Sequence, residues 1–264
     1  MDNVIDKHPT NNHPFAVSLL ASDEKTMNGT PHRVLIKNDQ NNLLLEHMTS
    51  ALQHHHVSPE ALNRHNDLVD SLRIRNLPLP RSPYPQNQTT QKGNFAEIFL
   101  AEYLCCSTNT ELPIYRLRYN TNPDQSMKGD DVLLFDLDSD PVRIIVGESK
   151  FRGVPNKQAV IDIVDGLMRS HRAGLPISLM FVSNMLYKEN KPEMGKKIEN
   201  CGVLFAIDRL HIDYVGLLMS NHNAKNSVNK HTSTGLHNLL MISLGMIGPE
   251  KVVEQSFARL EGRL

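Results

Sequence analysis

Asp131, Glu148 and Lys150 are the side chains of this 264-residue chain whose types and spacing suit metal-assisted chemistry. Asp131 opens the apolar run VLLF, and Glu148-Ser149-Lys150 closes the run from Val142 to Val146, which only Arg143 interrupts. The interval between the two acids has room for two strands and a turn. Side chains alternate along a strand, so Glu148 and Lys150 share a face while Ser149 points away. The carbonyl of Ser149 still lies alongside them. Adjacent strands thus bring Asp131, Glu148 and that carbonyl together as hard oxygen ligands, a set that suits Mg²⁺ or Mn²⁺. Lys150 beside the ion would orient or deprotonate a water, or neutralise charge on a pentavalent phosphate. The competing reading is an ordinary salt bridge at a strand end, since ExK alone is a weak pattern.

Elements must hold these groups in place. GNFAEIFLAEYL reads as a helix with Phe95, Phe99, Leu100, Tyr103 and Leu104 on a broad apolar arc. Glu97 sits at the margin of that arc, where it either supports the metal from the helix side or faces solvent. Strand-like runs follow: LPIYRLRY at 112–119, DVLLFDL and VRIIVGESK. Pro155 starts a helix striped by Val160, Ile163, Val164 and Leu167 and closed by Gly174. PISLMFVS reads as a strand, Lys191 to Asn200 as a short helix, and GVLFAID and HIDYVGLLM as further strands. This order predicts an α/β fold, a central mixed sheet flanked by helices, over 91–220. Residues 1–90 predict a partly helical extension. In it Phe15 to Leu20 suits an edge strand, 39–53 a helix, and Ser58-Pro59 the start of another that runs to about Arg75. Pro78, Pro80, Pro83 and Pro85 mark a linker. Residues 221–235 read as a solvated linker, and the rest of 221–264 as two short helices.

The composition narrows the partners. Lys+Arg 28 against Asp+Glu 29 excludes a protein that coats nucleic acid through its overall charge, although a local groove is allowed. Lys128, Arg152 and Lys157, with Arg116, Arg118 and Arg143, are candidates for such a phosphate-tracking groove, the alternative being ordinary surface charge. No aromatic ladder interleaves them, so base stacking is not indicated. Three cysteines without CxxC spacing read as reduced thiols, Cys105-Cys106 as buried packing. The chain has no apolar run near 18 residues and no signal-peptide pattern at its start. A cytoplasmic protein without membrane contact is predicted. The acidic turn Asp136-Leu137-Asp138-Ser139-Asp140 fails as a calcium loop because Pro141 and Gly147 stand where Gly and Glu are required. His54-His55-His56 fan out around a helix, which predicts a surface or capping role. Ser183 has no GxSxG around it. No phosphate-binding GxxxxGK[ST] is present, so any helicase function comes from a partner.

The order helix with GxxxE, strand, GxD, strand ending GExK, helix, strand is that of the PD-(D/E)xK nucleases, whose core is restriction-endonuclease-like. Gly93 to Glu97, Gly129 to Asp131 and Gly147 to Lys150 stand in its slots. The wording GNFAEIFL, MKGDDVLLF and IIVGESKF resembles the HamA family, nuclease subunits of the Hachiman antiphage system, over about 90–185. The resemblance implies a metal-dependent DNA nuclease restrained by a helicase partner, HamB. It carries over Asp131, Glu148 and Lys150 as catalytic, with Glu97 in support. Lys128 stands where that family often has His, and Asp130 beside Asp131 leaves two candidates for one ligand, of which Asp131 fits the GxD spacing. Two alternatives stay open: a non-catalytic nucleic-acid-binding or regulatory subunit of the same fold, and a metal-dependent RNase, because nothing here reads a 2′-hydroxyl.

Overall fold

The computed structural model describes residues 4–10, 12–38 and 42–262; residues 39–41, the start of the helix predicted over 39–53, lie outside them. In chain order the elements are α1 (Pro14–Ser18), β1 (Leu19–Lys25), β2 (Pro31–Lys37), α2 (Leu43–His56), α3 (Pro59–Ile74), α4 (Gln88–Ser107), β3 (Val132–Asp136), β4 (Val142–Phe151), α5 (Lys157–Ala173), α6 (Leu179–Lys188), α7 (Pro192–Ala206), β5 (Leu210–Ser220), α8 (Ala224–His231), β6 (Leu239–Gly245) and α9 (Pro249–Leu260). The strands form one mixed sheet in the order β1-β2-β6-β5-β4-β3. Its middle, β2, β6, β5 and β4, is parallel, and β1 and β3 pair antiparallel at the two edges. This is the expected α/β class.

Two cores explain why these residues form these elements. On one face Val132, Leu134, Ile145, Val215, Leu217 and Ile242 pack under α4, α2 and α9. On the other Leu133, Phe135, Ile144, Val146 and Leu218 pack under α5, α6 and α7. Both faces of β4, β5 and β6 are covered, so these strands read as nearly continuous apolar runs. α4 is apolar almost all round because it lies within the larger core: Phe95, Ile98, Phe99, Leu100 and Tyr103 have no exposed surface. Ser58 caps α3, with Pro59 in its first turn, and Gly174 at φ 82° ends α5, both as predicted.

Several expectations give way to tertiary context. The run 112–119 makes only a bridge, Glu111 to Phe135, followed by a 3₁₀ turn at Arg116–Tyr119. Pro113 has no amide to donate there, and the two arginines turn to partners outside any sheet. Leu179, Val182, Ser183 and Leu186 are buried at helical spacing, so the expected strand PISLMFVS becomes α6. GVLFAID completes α7 and leaves Val203, Phe205 and Ile207 exposed. Phe15 belongs to the short α1, and the edge strand starts later, at Leu19. The expected linker at 221–235 contains α8, and LLMISLG is β6, fully buried beside β2 and β5. The extension before Gly93 therefore also supplies two strands to the central sheet. His55 and His56 are buried, contrary to a surface role: His55 meets Glu102 at 2.7 Å, and burial lowers the pKa of His56 to about 4. Among the described residues no helix is long and apolar enough to cross a membrane.

Candidate active site

The β3–β4 ladder ends at the pair Val132 and Gly147, so one step beyond it Asp131 and Glu148 stand across from each other. Two glycines make this approach possible. Gly147 has Leu100 of α4 and Val132 each 2.9 Å from where a Cβ would stand, so any side chain there would push α4 off the sheet. Gly129 has φ 119°, and a Cβ on it would lie 2.5 Å from Ser178 Oγ. This tight turn separates the two aspartates. Asp130 turns to α6, accepting from Ser178 N–H at 2.9 Å while Ser178 Oγ accepts from its own N–H. Asp131 turns to β4, where its Oδ2 accepts from Ser149 N–H at 2.9 Å and Ser149 Oγ–H at 3.0 Å. The GxD spacing thus selects the aspartate that reaches the strand carrying Glu148.

On β4 the predicted alternation holds. Glu148 and Lys150 lie on one face, joined by an ion pair between Oε1 and Nζ, and Ser149 lies on the other. Ser149 directs its N–H past the end of β3, and a residue's carbonyl faces the same edge of a strand as its N–H. That edge is where the third oxygen ligand was expected. Glu148 itself is turned toward α5: a Cβ on Gly166 would lie 2.8 Å from its carboxyl carbon. Burial, and then the Asp131 carboxylate, raise its pKa to about 7, against the pull of Lys150 and Arg169.

Glu97 is buried, with both oxygens taken by Arg116: Nε at 2.6 Å and Nη2 at 3.0 Å. Burial raises its pKa, and Arg116 opposes that shift. The same guanidinium stands 3.7 Å from Asp131 Oδ1. Burial works against the charge of Arg116, but Glu97 and then Asp131 more than offset it and raise its pKa. Arg116 is therefore a buried clamp on two acids, where the sequence offered it as a groove residue. Nothing in its spacing announced this. The mid-helix Gly166 did carry a signal, because glycine inside an amphipathic helix marks a close approach.

A cleft of about 440 Å³ opens here, lined by Glu97, Arg116, Asp131, Ser149, Lys150 and Arg152, together with the first turns of α4. Glu148 lies behind it. Lys128 is exposed next to the lining residue Met127, and Lys157 is exposed at the start of α5. Arg143 does not join them. It lies near the other end of β4, bound to Asp213 at 2.7 Å, and Arg118 donates to the His54 carbonyl at 2.8 Å.

The donor set fits a Mg²⁺-like ion more than a cage. Among the described residues no three His, Cys, Asp or Glu side chains converge on one point. Mg²⁺ is commonly held by one or two carboxylates and completed by water and substrate phosphate. Glu97, Asp131 and Glu148 share two paired cations, Arg116 and Lys150, so the fully ionised set would carry surplus negative charge that such an ion can balance.

The HamA family profile matches residues 13–260, from α1 to the end of α9. The chain is also 31% identical over 267 residues to the Hachiman protein HamA of Bacillus cereus, with 100% of this chain and 96% of that protein covered. The chain belongs to the HamA family. HamA membership extends well beyond the 90–185 stretch that carries the motif resemblance. It takes in the N-terminal strands β1 and β2 as well as β6 and α9, which complete the sheet and the larger core.

Proposed function

We propose that this protein is a metal-dependent nuclease that cleaves DNA phosphodiester bonds, with a restriction-endonuclease-like core, in an antiphage defence system. The observation that supports it most is Asp131 facing Glu148 across the end of the β3–β4 ladder, with Lys150 on the same face as Glu148, beside an open cleft. Asp131, Glu148 and the Ser149 carbonyl would hold Mg²⁺ or Mn²⁺. Such an ion supplies a Lewis acid for the phosphate and lowers the pKa of a bound water.

The remaining work falls to the chain's own residues. Ser149 fixes Asp131 through two hydrogen bonds, so the carboxylate is oriented before substrate arrives. Arg116 anchors Glu97 and steadies Asp131 from the α4 side. Glu97 thus acts as a positioning residue. Lys150 carries the charge that faces the developing negative phosphate. Arg152 lines the cleft, and it would contact the nucleic-acid backbone together with the exposed Lys128 and Lys157.

Incubating the protein with supercoiled plasmid and Mg²⁺ tests this reading. Wild type should nick or linearise the plasmid, and Glu148→Ala should leave it intact. Binding without cutting, equal for both proteins, would favour the non-catalytic subunit, and cleavage confined to RNA would favour the RNase. A helicase partner of the HamB kind is part of the proposal. It rests on family membership and the absence of a phosphate-binding loop, and co-purification with such a helicase checks it.

A further inference from the structure

We propose that the second turn of α4, at Lys92 and Gly93, is the surface on which the sugar–phosphate backbone of the bound DNA lies. Lys92 would contact a phosphate, and Gly93 would be bare so that the strand can approach the helix. The inference rests on the nuclease reading and adds the path of the strand.

Gly93 is the first observation. It lies inside α4, where glycine weakens a helix relative to alanine. Packing does not account for it: a Cβ built there meets no heavy atom within 4 Å, whereas at Gly147 or Gly216 it would collide with the core. The residue is exposed and lines the same cleft as Asp131, Ser149 and Lys150. A helix position left bare toward a cleft, at a cost to the helix, is space kept for something that comes close.

Lys92 is the second. The other cations lining the cleft are committed: Lys150 to Glu148, Arg116 to Glu97, and Arg152 to Asp162 at 3.7 Å. Lys92 forms no ion pair among the described residues, and its ammonium stands 5.7 Å from the centre of the Phe151 ring. An aromatic face holds a cation without neutralising it. Lys92 therefore offers a positive charge held by no carboxylate among the described residues, in the cleft that Glu97 and Asp131 also line. A polyanion is drawn to that charge while its scissile phosphate reaches the acids.

The test uses Gly93→Ala and Lys92→Ala in the full chain. Binding is read by anisotropy of a fluorescein-labelled DNA duplex in EDTA, cleavage on plasmid with Mg²⁺, and stability by thermal melting. Gly93→Ala should melt higher than wild type yet bind DNA several-fold more weakly, a pairing that a structural role would not give. Lys92→Ala should keep its melting temperature, bind several-fold more weakly, and lower the salt dependence of log K by about one unit. A Gly93→Ala protein that is more stable and binds and cuts like wild type overturns the proposal, as does one that melts lower. A wild type that neither binds nor cuts nucleic acid overturns the nuclease reading as well. Normal wild-type cleavage left untouched by both substitutions overturns this surface alone.

Discussion

The two ends of the central sheet both carry charge at the margin of an apolar core, and they treat it differently. At the end where the parallel strands begin, Asp213 and Asp23 are both matched. Asp213, 3% exposed, has one oxygen on Arg143 Nε at 2.7 Å and the other on His211 Nε2 at 2.9 Å. Arg33 chelates Asp23 through Nε and Nη2 and also donates to the Tyr103 hydroxyl at 3.1 Å. This end has the larger cavity, about 710 Å³, yet its charged lining is largely closed into pairs. At the other end Glu148 is raised to about 7, and Arg116 is divided between two acids. Size alone would select the wrong end. Unbalanced charge selects the end with the ExK pattern, because buried acids without enough partners are stable only if something else completes them.

The comparison breaks most visibly if the acidic end works without an ion. EDTA should abolish cleavage and Mg²⁺ or Mn²⁺ should restore it, with full loss also in Asp131→Ala. Asp130→Ala should behave differently, losing stability through its Ser178 contacts while its folded fraction keeps cutting. Equal loss of cleavage from both aspartates would mean that the turn at Gly129 does not sort them. Lys150→Ala comes next. It removes a charge but no oxygen ligand, so Mn²⁺ should still raise the melting temperature while plasmid cleavage falls by about 10²–10³, or about 2.7–4 kcal/mol. Lys150→Arg should rescue little, since a planar fork cannot take the place of a point charge. Cleavage at the wild-type rate in Lys150→Ala would reduce the ExK pattern to a salt bridge.

Much of this end was legible in the sequence because a strand's period is fixed. Alternation alone put Glu148 and Lys150 on one face, and the interval between Asp131 and Glu148 allowed them to meet at the end of an antiparallel pair. The sequence could not show the directions of long side chains. That Glu148 leans on Gly166, or that Arg116 leaves the expected strand at 112–119 to clamp Glu97, depends on how α5 and α4 pack against the sheet. The same limit applies to short apolar runs. PISLMFVS and LLMISLG look alike locally, and only their neighbours make one α6 and the other β6. Of His54-His55-His56, the first is exposed and His56 meets the Leu52 carbonyl as a helix-end contact, but the burial of His55 and His56 was not legible because it comes from α4 and α9.

Glu148 also provides a stability measurement of the unbalanced end. Its pKa rises from 4.5 to about 7 on folding, so the folded state favours the neutral form. The resulting stabilisation is complete below about pH 4.5 and is lost as pH rises through about 7. Metal-free protein should therefore lose about 3 kcal/mol from this group across that window. His32 and His56, both lowered to about 4 by burial, act in the opposite sense as pH rises toward their ordinary value. Only the difference from Glu148→Gln isolates the carboxylate. Wild type minus Glu148→Gln should slope downward with pH in EDTA and flatten in saturating Mn²⁺. Superimposable curves in EDTA would mean that Glu148 is already balanced and the two ends are alike.

Arg143→Ala gives the smallest expected effect and tests the matched end directly. Removing the guanidinium deprives Asp213 of one partner, and a buried carboxylate that loses a charged partner destabilises the fold. Two features limit the loss here. His211 still donates to the other oxygen, and the Arg143 side chain is 22% exposed, so water can enter where it stood. The expected cost is about 1–2 kcal/mol, read as a lower midpoint in urea with an unchanged slope. Cleavage per folded molecule should not change, because Arg143 pairs with Asp136 across the ladder while Glu148 lies beyond its other end. Arg143→Lys should recover part of the stability, since one ammonium can still meet Asp213 Oδ2. A fall in cleavage without a fall in stability would place Arg143 with the phosphate-contacting cations, where the sequence alone had put it, and the division of the sheet into a matched end and a working end would fail.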